Sequence, residues 1–452
     1  MQFILSENSI WILSILKQHH KEAFLVGGCV RDMLMKRIPH DIDITTSALP
    51  EEVIDIFSKE NCKVIPTGLQ HGTITLLRHH EAIEVTTYRI DSDYINHRRP
   101  KEVAFSRSLI EDLKRRDFTM NAIAYHPELG LQDPFNGVQD IKEHVIRCVG
   151  DANKRMQEDA LRILRALRFE AVLNFSLTQA CQQAIMNNAH LLAYISKERI
   201  RDEFSKLLMG ERENTLERLH ATHTLSYVLP GYEKIYGWEQ KTPWHKYDIF
   251  THTDIALNHT YSYPLESKLA IIFHDIGKIE VESFDEQGIA HYKKHALIST
   301  SLARTYLKDL KFDNHTIDKV CTLILYHDYY LQENKSMLRK FLTKFDNNID
   351  FAFQALDIQI ADDYAKNMEK SQEKIDTIIK CKQMMIEMEK EHDLFTLKDL
   401  AINGLDIQAI GLKGKEIGDA LTYALDLVLH DPSVNAKDYL LKTIQIKFKK
   451  SL

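Results

Sequence analysis

Residues 40–46 read His-Asp-Ile-Asp-Ile-Thr-Thr, and the two acids one residue apart between isoleucines decide how the N-terminal part of the chain is read. In a strand, successive side chains point to opposite faces, so Asp41 and Asp43 would share one face while Ile42 and Ile44 turn to a core. Carboxylates that close repel and raise one another's pKa unless a cation lies between them. The spacing therefore suits a hard divalent ion held by oxygen ligands. An edge strand with a polar outer face also reads D-x-D, so the surroundings have to decide.

The strand signal "AFLV" (23–26) runs into Gly27 and Gly28 and then "CVRDMLM" (29–35), which has apolar residues at helical spacing. Two glycines let the backbone approach a phosphate, and a helix start offers free N–H groups and the positive end of its dipole. A third carboxylate, Glu84, stands between Ile83 and Val85 in "AIEVTTYR", the same alternation. A neighbouring strand would place it beside the pair. Three carboxylates with one or two Mg²⁺ ions would activate a hydroxyl and neutralise charge on a transferred nucleotidyl group. Arg116, Asp117 and Asn121 in "RRDFTMN" suit a triphosphate's surroundings, because guanidinium forks bind phosphate oxygens while carboxylate and amide groups serve ribose hydroxyls. A charged helix start with Asp117 as its cap fits the same residues.

A chain of 452 residues predicts two to four domains. Strand signals fill the part up to about residue 135, and helical periodicity dominates from about 150 onward. The fold class is therefore α+β: a small mixed α/β head followed by an all-helical remainder. The net charge of -7 excludes a uniformly basic nucleic-acid binder but not local basic faces. Six scattered cysteines form no C-x-x-C pair or disulfide framework, which fits a reducing cytoplasm. The first twenty residues read as an amphipathic helix and not a signal peptide, and no apolar run reaches 18 residues, so no membrane partner is expected.

In order along the chain, "LVGGCVRDMLMKRIPHDIDITT", "TGLQHGTITLL", "RRPKEVAF", "LKRRDFTMNAIAY", "DPFNGVQDI" and "QEDALRILRALRF" resemble the motifs of bacterial class II tRNA nucleotidyltransferases that add CCA, and of their poly(A) polymerase relatives. The resemblance spans roughly residues 20–210. It implies a polymerase-β-like nucleotidyltransferase head at 1–145, a helical base-reading neck at 146–215, a helical body at 216–370 and a tRNA-binding tail at 371–452, in an elongated arrangement. It further implies Asp41 and Asp43 as Mg²⁺-binding catalytic acids supported by Glu84, with Gly27, Gly28 and Arg31 at the triphosphate. Arg116, Asp117 and Asn121 would hold the incoming nucleotide. The substrates implied are CTP, ATP and tRNA, with no DNA partner.

In "RMQEDALRILRALRF", Leu161, Leu164 and Leu167 share one helical side while Arg155, Asp159, Arg162 and Arg165 recur on another. Asp159 and Arg162 read equally as a surface i,i+3 ion pair. By the resemblance they instead offer an acceptor and a donor to the Watson-Crick edges of cytosine and adenine, in place of a template. Both bases carry an exocyclic amine beside ring acceptors, whereas uracil and guanine would set a carbonyl against Asp159. Arg165 and Arg168 are candidates for phosphate contact. The segment "DSDYINHRR" (91–99) occupies the place of the loop that the resemblance links to the change from C to A, which favours full CCA addition over addition of CC alone and leaves A-only addition open.

Residues 245–330 hold "HKYDIFTHTDIALNH", "LAIIFHDIGK", "HYKKHALIST" and "LYHDYY", a run of histidines and acids suited to Mg or to a transition metal such as Mn, Ni, Co or Fe. The order resembles the HD phosphohydrolase superfamily, which implies His252, His274, Asp275 and Asp362 as ligands, with His295 and His327 for a second ion or a phosphate. A metal phosphohydrolase with a degenerate head is accordingly the rival from another class. In the tail, "INGLDIQAIGLKGKEIGDAL" resembles the family's segment that grips the tRNA body, with Lys413 and Lys415 near its glycines. The methionines at 384, 385 and 388 read as core.

Overall fold

The computed structural model describes residues 3–91, 94–95, 99–100 and 103–449. The chain divides into two compact units, Met1–Glu233 and Lys234–Leu452. The first is built on a seven-stranded mixed sheet, in spatial order Gly130–Gln132, Ala124–His126, Ala23–Val26, Asp43–Thr46, Glu81–Thr87, Thr73–Arg78 and Lys63–Gly68. Asp43–Thr46 lies near its middle, antiparallel to Ala23–Val26 and parallel to Glu81–Thr87. β-Branched residues suit this place: Ile44 is fully buried, and the buried Thr45 and Thr46 hydroxyls donate to the Thr86 and Glu22 carbonyls.

The strand begins at Asp43, so Asp41 and Ile42 precede it and do not share its pleat as the alternation predicted. The register explains the shortening. Leu25 pairs with Ile44, and one step beyond Val26 that neighbouring strand turns through Gly27 into the helix Gly28–Leu34, so Asp41 has no strand to pair with on that side. The segment 91–99 lies largely outside the described residues, and its side chains entirely so.

The helical reading beyond residue 150 holds, with short two-residue strand pairs as exceptions. The long helices of the first unit, Leu161–Leu173 and Lys197–Leu208, pack on one another. In the second unit the helix Leu265–Phe273 is buried from Ser267 to its end and delivers His274 and Asp275 at its C-terminus. Its neighbours Ile249–Asn258, Asn314–Leu325 and Ile349–Tyr364 pack around it. Met385 and Met388 are fully buried core residues of the helix Met368–Lys390. In the tail, Gly404–Ala409 and Lys415–His430 form a helical pair over a core containing Ile407, Ala420, Ala424 and Val428. Gly414 caps the second helix at φ +57, the left-handed region in which glycine costs least.

Candidate active site and metal-ligand cluster

Asp43 is in register with Glu84 on the adjoining parallel strand, so both side chains leave the same face of the sheet. Gly27, at φ +79, ends the strand on the other side; a Cβ there would stand 3.1 Å from Arg116 Nη1 and 4.0 Å from an Asp43 carboxylate oxygen. Backbone, cation and acid thus meet closely where only glycine fits. Burial pushes the Asp43 pKa up, Arg116 opposes this, and the charges of Glu84 and Asp41 raise it again. Asp41 is mostly in solvent, its side chain 86% exposed, with an oxygen 3.1 Å from His40 Nδ1. The three head carboxylates are not drawn to within 4.8 Å of one another. Mutually repelling acids on one face, with burial added, are a donor set that a hard cation would complete.

A continuous set of hydrogen bonds runs on from there. Arg31 Nη1 donates to Asn121 Oδ1 at 2.8 Å, Asn121 Nδ2 donates to Asp117 Oδ1 at 3.2 Å, and Arg165 donates twice to Asp117 Oδ2 at 2.8 and 2.6 Å. Asp117 therefore caps no helix; it holds a fork. Burial alone would raise its pKa, but the Arg165 guanidinium beside it brings it down to about 2. Arg31, Arg165 and Arg168 all lie over the Phe169 ring, their guanidinium carbons 5.1, 5.5 and 4.2 Å from its centroid. Arg168 also reaches Glu203 at 2.9 Å. Three guanidinium groups thus gather around one ring, each also meeting a carboxylate, Asp32, Asp117 or Glu203.

Sequence reasoning missed three supports. The fully buried Asp112 pairs with Arg115 and Arg116 at 2.7 and 3.1 Å and accepts from Thr45 Oγ1. Phe169 and Glu203 were equally unmarked. Within "DPFNG", Asp133 accepts the Gly137 and Val138 N–H groups, and a Cβ on Gly137 would sit 2.1 Å from the Thr119 carbonyl oxygen. That close approach seats the Thr119–Asn121 turn, so the motif shapes the site through backbone packing.

In the neck, Arg162 is held mainly by groups other than Asp159. Arg162 Nη1 donates to Glu158 at 2.8 Å and to the Arg155 carbonyl at 3.0 Å, and Nη2 donates to the Arg115 carbonyl at 2.9 Å. Asp159 accepts the Leu161 N–H at 3.1 Å and lies 3.3 Å from Arg199 Nη2. Asp159 stands in extended conformation between the helices Ala152–Glu158 and Leu161–Leu173, so regular helical i,i+3 spacing does not relate it to Arg162.

In the second unit, two sets of ligand-type atoms each converge within 4.8 Å: His252, His274, Asp275 and Asp362, and Asp275, His295 and His327. His274, His295 and His327 each turn Nδ1 to a backbone carbonyl, those of Ile271, Tyr292 and Ile324, at 2.7, 2.9 and 2.7 Å. This anchors the rings with Nε2 directed inward, the second-shell arrangement of metal-binding histidine. His274 Nε2 is buried and makes no hydrogen bond, although Asp275 and Asp362 oxygens lie 3.3 and 3.4 Å away. Burial disfavours its charge, yet the two carboxylates raise its pKa to about 10, so a proton sits where a cation would compete. Lys278 and Lys366 hold Asp275 and Asp362 from the other side at 2.6 and 2.5 Å. These two acids, His295 and His327 line a cavity of about 450 Å³ together with Lys374 and Trp244.

Family models match three stretches: the poly A polymerase head domain at 23–147, the RNA- and SrmB-binding site of polymerase A at 174–235, and tRNA nucleotidyltransferase domain 2 at 285–444. The CCA-adding enzyme of Lactobacillus helveticus is 48% identical over 221 residues, 49% of this chain and 54% of that protein. That of Geobacillus stearothermophilus is 48% identical over 225 residues, 50% and 55%. In both, the match spans about half the length of the curated relative. The crystal structure of the Bacillus stearothermophilus CCA-adding enzyme in complex with CTP covers 98% of this chain and 97% of its own at 29% identity, TM-score 0.73. A Thermotoga maritima CCA-adding enzyme complexed with tRNA, at 18% identity, TM-score 0.59 and coverage of 98% and 96%, shares the fold. The ordered motifs, the matched head, RNA-binding and second domains, and the fold agree: the chain belongs to the family of tRNA nucleotidyltransferases and poly(A) polymerases.

Proposed function

We propose that this protein adds CCA to the 3' end of tRNA from CTP and ATP, without a nucleic-acid template and with release of pyrophosphate. The observation that carries the reading is the in-register pair Asp43 and Glu84 beside Gly27 and Arg116. The names of the relatives support it, as do the CTP and tRNA complexes of two structural neighbours. The division into head (1–145), neck (146–215), body (216–370) and tail (371–452) belongs to the same proposal.

Asp41 and Asp43 would hold Mg²⁺, whose preference for oxygen ligands they match. When bound, the ion supplies charge neutralisation at the triphosphate and lowers the pKa of the attacking hydroxyl. Glu84, on the same face as Asp43, supports the pair. Arg31 and Arg116 receive triphosphate oxygens, and the Phe169-stacked arginines extend the cationic surface. The 3' oxygen of the RNA bonds to the α-phosphorus as the bond to the β-phosphate bridge breaks. Asp159 and Arg162 select the base, and the tail holds the tRNA body through Lys413 and Lys415. With each triphosphate supplied singly to tRNA lacking CCA, CTP is expected to extend the RNA by two nucleotides and ATP to follow only after them. Incorporation of ATP alone would instead establish an A-adding enzyme or a poly(A) polymerase.

A second reading concerns the body. The inward Nε2 atoms and the orphaned His274 nitrogen favour a divalent metal there, Mn, Ni, Co or Fe by the donor set, in an HD-type phosphohydrolase site. His252, His274, Asp275 and Asp362 would hold it, with His295 and His327 available for a second ion or a phosphate. Protein dialysed against Mn²⁺ and then desalted is expected to retain at least one equivalent by elemental analysis and to melt higher, and His274→Ala to lose both effects. A wild-type protein that retains no metal and shows no shift would contradict this.

A further inference from the structure

The neck places a residue beside the base-reading acid that the motif itself does not contain. Asp159 has both oxygens engaged: Oδ1 accepts the Leu161 N–H at 3.1 Å, and Oδ2 lies 3.3 Å from Nη2 of Arg199, which comes from the helix Lys197–Leu208 forty residues on. Nη1 of the same guanidinium is buried and makes no hydrogen bond. Arg162, the motif's own cation, is committed to Glu158 and to two backbone carbonyls. Arg199 holds the Asp159 carboxylate from outside the motif.

We propose that Arg199 is a positioning residue for base selection: by pinning one oxygen of Asp159 while the Leu161 N–H pins the other, it fixes the plane in which that carboxylate meets the incoming base. The inference rests on the reading of Asp159 as the acceptor for the exocyclic amine. Each carboxylate oxygen has two acceptor positions, so an oxygen held by Arg199 or by the backbone still accepts from an amine. A fixed negative oxygen rewards cytosine and adenine and penalises the carbonyl of uracil or guanine at the same place. Freed, the carboxylate swings toward solvent. The amine then loses its partner, the carbonyl meets no opposing charge, and discrimination falls from both sides.

The test is the ratio of kcat/KM for CTP to that for UTP on tRNA lacking CCA, measured on the full chain. Arg199→Met, which keeps length and loses the fork, is expected to lower the ratio by about tenfold or more, with a raised KM for CTP. Arg199→Lys, retaining charge but a single donor site, is expected to lie between methionine and wild type, and it carries the comparison should the methionine variant fold poorly. Adding Asp159→Asn to Arg199→Met is expected to cost much less than Asp159→Asn costs alone, because the two act as one unit. A ratio within twofold of wild type in both Arg199 variants, even with both rates lowered, would show a merely structural role and overturn the proposal. A wild-type chain that adds neither CTP nor ATP would instead overturn the reading of the head on which it rests.

Discussion

Asp43→Ala is expected to lower the rate of nucleotide addition by about 1000-fold or more, leaving the protein folded and its melting temperature at or above that of wild type. The loss follows from the place of Asp43 at the junction of the sheet, the Gly27 turn and Arg116, where no neighbouring acid can substitute: Glu84 is on the next strand and Asp41 stands outside the ladder. The unchanged or raised stability follows from the direction of its pKa. Burial and the two nearby acids outweigh Arg116 and leave the charged form of Asp43 disfavoured in the fold, so removing that charge removes a cost. Single-turnover extension of labelled tRNA with CTP, beside a thermal melt, checks both halves. A variant that keeps transfer, or loses it only by unfolding, would show that Asp43 is structural.

Asp117→Ala is expected to cost both stability and activity. Asp117 is buried and held by Arg165, Asn121 and the Phe118 N–H. The cost is set at about 2–3 kcal/mol and not at the roughly 3–5 kcal/mol of a fully enclosed pair, because the Arg165 side chain stays 33% exposed and has Glu203 3.9 Å away. The pH dependence has a definite sign. The folded pKa, about 2, is below the value of about 3.9 for an unfolded aspartate, so the contribution is complete above that unfolded value and disappears as pH falls through about 2. Urea unfolding at pH 7 and at pH 3 should therefore show a wild-type advantage over Asp117→Ala that shrinks at the lower pH. An equal difference at both would mean that the ion pair contributes nothing. Addition of CTP should fall as well, since Arg31 and Asn121 lose the anchor that aligns them.

The head was legible because its chemistry and its fold use the same alternation. Ile44, Ile83 and Val85 are buried where the period of two places them, and this alone brings Asp43 and Glu84 to one face. Asp41 was placed in the strand because nothing local marks where its partner turns away at Gly27. The neck was less legible. Helical spacing relates Arg162 equally to Glu158 and to Asp159, and only the extended backbone at Asp159 decides for Glu158. Arg199 and Glu203 come from another helix, and no spacing rule links them to the residues they hold, whereas Asp112 stands three and four residues before Arg115 and Arg116, a helical spacing that the sequence carries. In the body, the order of histidines and acids picks out side chains that the fold brings together, whereas the carbonyls of Ile271, Tyr292 and Ile324 that aim the rings carry no side-chain signal at all.

The central claim is that Asp41 and Asp43 would together hold a divalent cation when a nucleotide is bound. Anomalous scattering from Mn²⁺ in crystals grown with a non-hydrolysable CTP analogue tests it most directly. An ion at about 2.0–2.2 Å from a carboxylate oxygen of each residue, contacting the triphosphate, is the expected result. A bound nucleotide with no ion shared by those two acids would contradict it.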